Sequence, residues 1–244
     1  LIFHSGDFKI DLTPVGGAPM DLKRIAELGP DLVMIDDDFR LTRRGGKGCA
    51  CPKHLEKFNS ATGKNFTREQ LWEYIDTHPM DDEINEAFLI TQRETLINTA
   101  QKMREAIDKI NPSIQGITCA TGDECNIPMV EIAKIFAGKG NPSIVRMHNG
   151  VYAPITDRCE LSKIMHNGAI AVNHYKQHGI DVLLAEADTI PFNRYAKSAR
   201  FLHSQLVCSV LEGMTGAKHW YTRFGAGELK SGKAYRDILA KHKD

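Results

Sequence analysis

The sequence predicts an α/β protein built on parallel strands, of the (β/α)₈ TIM-barrel kind, and three observations predict it. Short apolar or β-branched runs alternate with long amphipathic stretches along the 244 residues. No hairpin signal joins neighbouring runs, which leaves parallel strands connected through helices. The runs also end, one after another, in acidic, histidine or asparagine residues: Asp36–Asp38, Asp123–Glu124, His148–Asn149, Glu186–Asp188, and Trp220 with Arg223. Polar residues converging from the C-terminal ends of many strands are the active-site signature of such a barrel.

The strand runs are 1–5 (LIFHS), 31–36 (DLVMID), 114–119 (IQGITC), 143–148 (SIVRMH), 181–186 (DVLLAE) and 217–222 (AKHWYT). Several carry apolar residues on consecutive positions, as strands covered on both faces do. A short helix over 20–28 ends at Gly29–Pro30. Residues 84–110 place Ile84, Phe88, Leu96, Ala100, Met103, Ile107 and Ile110 near one helical face. Residues 157–178 repeat the pattern and stop at Gly179, and 195–212 stop at Gly213. The tail 228–244 reads as an amphipathic closing helix. Six strands are two short of a closed barrel, so the expectation is a partial barrel lacking its first two strands. It forms a single catalytic domain over 1–244. Gly16–Gly17 lacks G-x-G-x-x-G spacing, which argues against a dinucleotide fold.

Composition narrows the partners. Lys+Arg and Asp+Glu both number 31, so no charge imbalance calls for nucleic acid or an anionic membrane. The apolar runs are strand-sized, far below a membrane span. Residues 1–6 read as a buried strand and not as a signal peptide. The cysteines, Cys49, Cys51, Cys119, Cys125, Cys159 and Cys208, fall mostly in expected strands and helices, which suits reduced thiols and a cytoplasmic setting.

Residues 40–82 interrupt the rhythm with a long charged excursion holding a small helix, with Thr67 as an N-cap before Glu69–Gln70. A connection of that length in a compact domain is usually functional. Within it, Cys49-x-Cys51-x-x-His54 offers two thiolates and an imidazole at zinc-binding spacing. A fourth ligand is not evident, and a metal-free packed loop explains the segment equally well.

Two carboxylate signals stand out. Asp36-Asp37-Asp38 follows the apolar LVMI, and three adjacent carboxylates repel one another unless something uses or neutralises them. Period-two geometry would put Asp36 and Asp38 on one side and Asp37 on the other. The bland reading is a solvated acidic turn neutralised by Arg40, Arg43 and Arg44. Glu186 ends DVLLAE, at what would be the barrel mouth. Its bland reading is a buried ion pair with Arg146 or Arg223. Two carboxyl groups facing across a cleft are what glycosidic cleavage needs.

IDDDF, GCACPKHLEKFN and LLAEADTIPFNRY resemble the catalytic segments of clan A glycoside hydrolases, the family-42 β-galactosidases and their relatives in particular. The resemblance implies an acid/base at the end of strand 4 and a nucleophilic Glu at the end of strand 7. Laid on this chain, the acid/base pattern falls on Asp38, within Asp37-Asp38-Phe39, and the nucleophile pattern falls on Glu186. Those residues end the second and fifth visible strands, three strands apart, as the family requires. The implied activity is a β-galactosidase-like glycoside hydrolase, retaining by resemblance, with a glycoside substrate, no required cofactor and homo-oligomeric assembly. The chain departs from the family in carrying Asp-Asp where the clan has Asn-Glu. Asp is one methylene shorter than Glu, and a carboxyl gap wider than the roughly 5–5.5 Å of retaining enzymes would invert the anomer instead, so the stereochemical outcome stays open. In the family a C-x-C-x-x-C stretch contributes to a zinc cluster, and Cys49, Cys51 and His54 look like a variant of it.

The candidate substrate-binding set comprises Asp36, Asp37 and Arg40 beside Asp38, then His4, His148, Asn149, Asn193, Trp220 and Arg223. Trp220 is placed to stack on a sugar face, although a Trp on such a strand is more often core. Two further classes compete. One is a metal-dependent aldolase, isomerase or deacetylase using Asp36, Asp38, His148 and Glu186 as ligands. The other is a sugar-binding barrel that no longer turns over.

Overall fold

The computed structural model describes residues 27, 29–37, 39–41, 47–120, 128–148, 160–188, 197–220 and 233–242. Within them the chain runs β1 (Leu32–Ile35), α1 (Pro52–Thr62), α2 (Arg68–Thr77), α3 (Glu83–Asp108), β2 (Gln115–Ala120), α4 (Met129–Ala137), β3 (Ile144–His148), α5 (Glu160–Gln177), β4 (Val182–Asp188), α6 (Ala199–Leu211), β5 (Gly216–Trp220) and α7 (Lys233–Lys241). All neighbouring strands pair in parallel, and their spatial order equals their chain order.

The expected TIM barrel is corrected by this sheet. Among the described residues it is an open five-stranded sheet, with β1 and β5 at its edges and not joined to each other. Strand–helix alternation and polar strand ends are common to every sequentially wound parallel sheet. Closure depends on pairing the first and last strands, and no local pattern encodes that pairing. The predicted strand 1–5 and helix 20–28 fall outside the described residues, apart from Glu27, which is helical. The other five predicted strands are present within two residues at each end.

Alternation sorts the sheet into two faces. Ala120, Val145, Met147, Leu183 and Ala185 point to one side and form the main core with Leu96 and Ala100 of α3, Met129, Ile132 and Ala133 of α4, and Ala171 and Tyr175 of α5. Ala187 continues that face under Leu202 of α6 and Tyr235 of α7. The intervening residues, Cys119, Arg146, His148, Leu184, Glu186 and Lys218, belong to the opposite face. On the helical side α4 approaches β2 so closely that a Cβ on Gly116 would lie 1.9 Å from the Phe136 carbonyl oxygen. Arg104, buried on α3, locks this corner by donating to the carbonyls of Ile114 (2.9 Å) and Phe136 (3.1 Å).

The N-terminal ends of the strands are stitched by structural polar contacts. Ser143 donates from both its backbone N–H and its hydroxyl to Asp181 Oδ2, at 2.8 Å each. Those two bonds, the backbone one foremost, lower the Asp181 pKa. Thr215 N–H donates to the Leu183 carbonyl at 2.8 Å.

The described residues of the 40–82 excursion contain two helices, of which α2 was expected and α1 was not, and they share a separate core with α3. Phe58, Leu71 and Phe88 are buried there, with Phe58 and Phe88 edge-to-face at 5.6 Å. Thr67 caps α2 reciprocally with Gln70, the capping box read from sequence. No helix among the described residues is long and apolar enough to cross a membrane.

Candidate functional site

The polar face converges on Arg146. This residue sits in the middle of β3, is 1 % exposed, and reaches both ways along the sheet. Its Nη2 bonds Asp36 Oδ1 at 3.0 Å on the β1 side, and its Nη1 meets Glu186 Oε2 at 2.6 Å on β4. The second contact is an ion pair out of line with a hydrogen bond, since Nη1 has no hydrogen-bond partner among the described residues. Glu186 Oε2 also lies 3.3 Å from His148 Nδ1, on the next strand in the same register row. Glu186 is therefore a buried carboxylate with a guanidinium and an imidazole against one oxygen.

Charge is balanced by these contacts. Burial alone would weaken the Arg146 cation, but the Cys119 sulfur and the Glu186 carboxylate outweigh it and raise its pKa. Burial pushes the Cys119 thiol up, against the opposing pull of Arg146 and, more weakly, of Lys218. Lys218 stands on β5, three strands from Cys119, a separation of roughly 14 Å on a flat sheet.

The acidic triplet behaves differently from its strand reading. β1 ends at Ile35, and the chain turns at once: Phe39 N–H donates to the Asp36 carbonyl at 3.2 Å, and Asp37 N–H to Asp36 Oδ1 at 2.9 Å. Period-two alternation therefore does not carry through the triplet. Asp36, 61 % exposed at its side chain, is paired with Arg146. The bland reading of Glu186 as an ion pair with Arg146 holds as a contact, and it leaves the carboxylate aimed along the polar face.

Of the predicted set, the structure brings together Asp36, Glu186 and His148 around Arg146. Asp37 lies in the turn, half-buried Arg40 follows it, and Trp220 ends β5. Asp38, His4, Asn149, Asn193 and Arg223 fall outside the described residues. Sequence reading named Arg146 only as a structural partner, and passed over Cys119 and Lys218. The signal for Arg146 was available: a charged residue inside the apolar run SIVRMH, two positions before His148, on the same face.

Compared with known proteins, the chain matches no family model and no curated protein.

A second cluster lies at the start of the excursion. Ligand atoms of Cys49, Cys51 and His54 all fall within 4.8 Å of one another, and Cys51 Sγ is 3.3 Å from His54 Nδ1. Tetrahedral zinc with thiolate and imidazole ligands sets its donors roughly 3.5–3.8 Å apart, so the spacing fits. Two of the three donors are shifted toward their ligating forms. Cys51 is the N-cap of α1, where the His54 backbone N–H foremost lowers its pKa, and burial lowers that of His54. The Gln92 side chain grips the loop, accepting from Cys49 N–H at 2.9 Å and donating to the Cys49 carbonyl at 3.2 Å. Arg68 donates to the Ala50 carbonyl at 2.9 Å.

Proposed function

We propose that this protein is a glycoside hydrolase in which Glu186 is the nucleophile and Asp38 the general acid/base. The observation that carries the reading is the buried Glu186 carboxylate at the C-terminal end of β4, held by Arg146 at 2.6 Å and His148 at 3.3 Å. A carboxylate nucleophile has to be ionised, aimed and shielded from water, and a guanidinium beside it favours ionisation. In the reaction Glu186 attacks the anomeric carbon while Asp38 protonates the departing glycosidic oxygen. Water, deprotonated by Asp38, then releases the sugar from Glu186. Arg146 and His148 hold the nucleophile in place through both steps. Retention of anomeric configuration belongs to this proposal, as does β-galactosidase-like chemistry.

The test is Glu186→Gln, assayed on activated aryl glycosides. Turnover is expected to vanish with folding intact, and Asp38→Asn to lower it by about 10²–10⁴-fold. Unchanged turnover in Glu186→Gln sinks the reading, and sugar binding without any turnover in the parent protein favours a non-catalytic binder instead. The metal-dependent alternative gains no support from Asp36 and Glu186, because Arg146 already occupies the space between them as their shared cation.

Zinc held by Cys49, Cys51 and His54 completes the proposal. The three donors leave a fourth position for water, and the ion would brace the loop against α1 and α3 without entering the chemistry. Free thiols at Cys49, Cys51, Cys119 and Cys208 go with a reducing, cytoplasmic setting.

A further inference from the structure

Lys218 lies directly opposite Glu186 in the β4–β5 register, and His148 lies opposite Glu186 on the other side. The three form one row across the C-terminal half of β3, β4 and β5. Parallel neighbours in register point to the same side of a sheet, so Lys218 shares the polar face with Glu186 and Arg146. The side chain is half-buried, yet among the described residues no carboxylate, carbonyl or hydroxyl accepts from its ammonium. The two carboxylates placed to do so, Asp36 and Glu186, are both engaged by Arg146. An ammonium drawn partly out of water without an acceptor is destabilising, and an anionic ligand group would relieve it.

We propose that Lys218 anchors an anionic subsite beside Glu186, and that the sugar it takes carries a carboxylate or phosphate at the carbon outside its ring. Adjacent strands stand roughly 4.8 Å apart, close to the span between the anomeric carbon and an exocyclic substituent across one pyranose. A sugar with its anomeric carbon over Glu186 thus sets that substituent over Lys218. The neutral sugar offers only an uncharged hydroxyl there, a weaker acceptor for the ammonium than a carboxylate or phosphate. The assignment rests on the glycosidase reading for its orientation, whereas anion binding itself can be measured without turnover.

The experiment is calorimetry on the full chain with glucuronate, galacturonate, the 6-phosphates of glucose and galactose, and the two parent hexoses. At least one acidic sugar is expected to bind about tenfold or more tightly than its parent, as one charge-assisted hydrogen bond permits. Lys218→Gln should bring the two within about twofold, and Lys218→Arg should keep the preference. Whichever acidic sugar binds more tightly identifies the substituent. Equal affinities, no binding, or a preference that survives Lys218→Gln overturns the subsite. Turnover of the matching aryl glycosides is read separately: acidic-sugar binding with no turnover overturns the nucleophile assignment and leaves the subsite standing.

Discussion

Replacing Arg146 with Met tests what the centre of the polar face is made of. Met keeps the length and apolar stem of the side chain and removes the cation. Its two partners should feel the loss unequally. Asp36 is 61 % exposed at its side chain, so water takes over and the lost pair is worth less than about 1 kcal/mol. Glu186 is 12 % exposed at its side chain, and without Arg146 its charge stays buried with its closest cation gone, His148 Nδ1 remaining 3.3 Å away. Breaking a buried pair in this way costs about 3–5 kcal/mol, so nearly all of the penalty comes from Glu186. With a urea dependence of about 2–3 kcal/mol per molar, the unfolding midpoint should fall by roughly 1–2.5 M. The double variant Arg146→Met/Glu186→Met removes both charges and should recover to within about 1 kcal/mol of the parent protein. Urea unfolding followed by circular dichroism measures both variants against the parent. A loss below about 1 kcal/mol for the single variant, or no recovery in the double, would refute the claim that Arg146 serves chiefly to compensate Glu186.

Three more outcomes are expected. Gly116→Ala drives a methyl into the Phe136 carbonyl and should destabilise by about 1–3 kcal/mol or more in the same unfolding assay, because the atom it meets is backbone. The Asp181 pKa is lowered in the fold below its ordinary value of 3.8. A depressed carboxylate stabilises above its unfolded pKa, and that stability is lost as pH falls through the folded value. The stability gap between the parent and Asp181→Asn should therefore be constant above about pH 5 and close below about pH 4. Gln92→Leu frees the Cys49 backbone without touching a ligand atom. It should weaken zinc binding, read by competition with a chromogenic chelator, by about 10–100-fold. Unaltered affinity would assign Gln92 to packing alone.

Where an element rests on local pattern, the sequence was sufficient to place it. The five described strands and the long helix over Glu83–Asp108 follow from apolar periodicity, and the α2 start follows from Thr67 and Gln70. Helix α4 went unassigned because its apolar residues, MVEIAKIFA, cover most of its circumference and show no polar face. Helix α1 was hidden by a charged sequence whose buried contribution is Phe58 alone. The open sheet was not legible, since its edges are set by which strands pair at a distance. At the site, Glu186 and the Cys49–Cys51–His54 cluster were found by chemistry at fixed spacing. Arg146 was underrated because its importance lies in reaching two strands at once, and Asp36 and Glu186 are separated from it by 110 and 40 positions of chain.

The bridge from Asp36 through Arg146 to Glu186 has a thermodynamic consequence. One cation divides its attraction between two anions on strands that do not touch. Whatever draws Glu186 away from the guanidinium leaves more of that charge to Asp36 and tightens the turn it begins. By reciprocity, whatever displaces that turn changes the affinity of a ligand for Glu186 by the same factor. Occupancy at β4 and the conformation of the segment after β1 are then linked variables, and a Glu186 ligand should alter hydrogen exchange at residues 36–39.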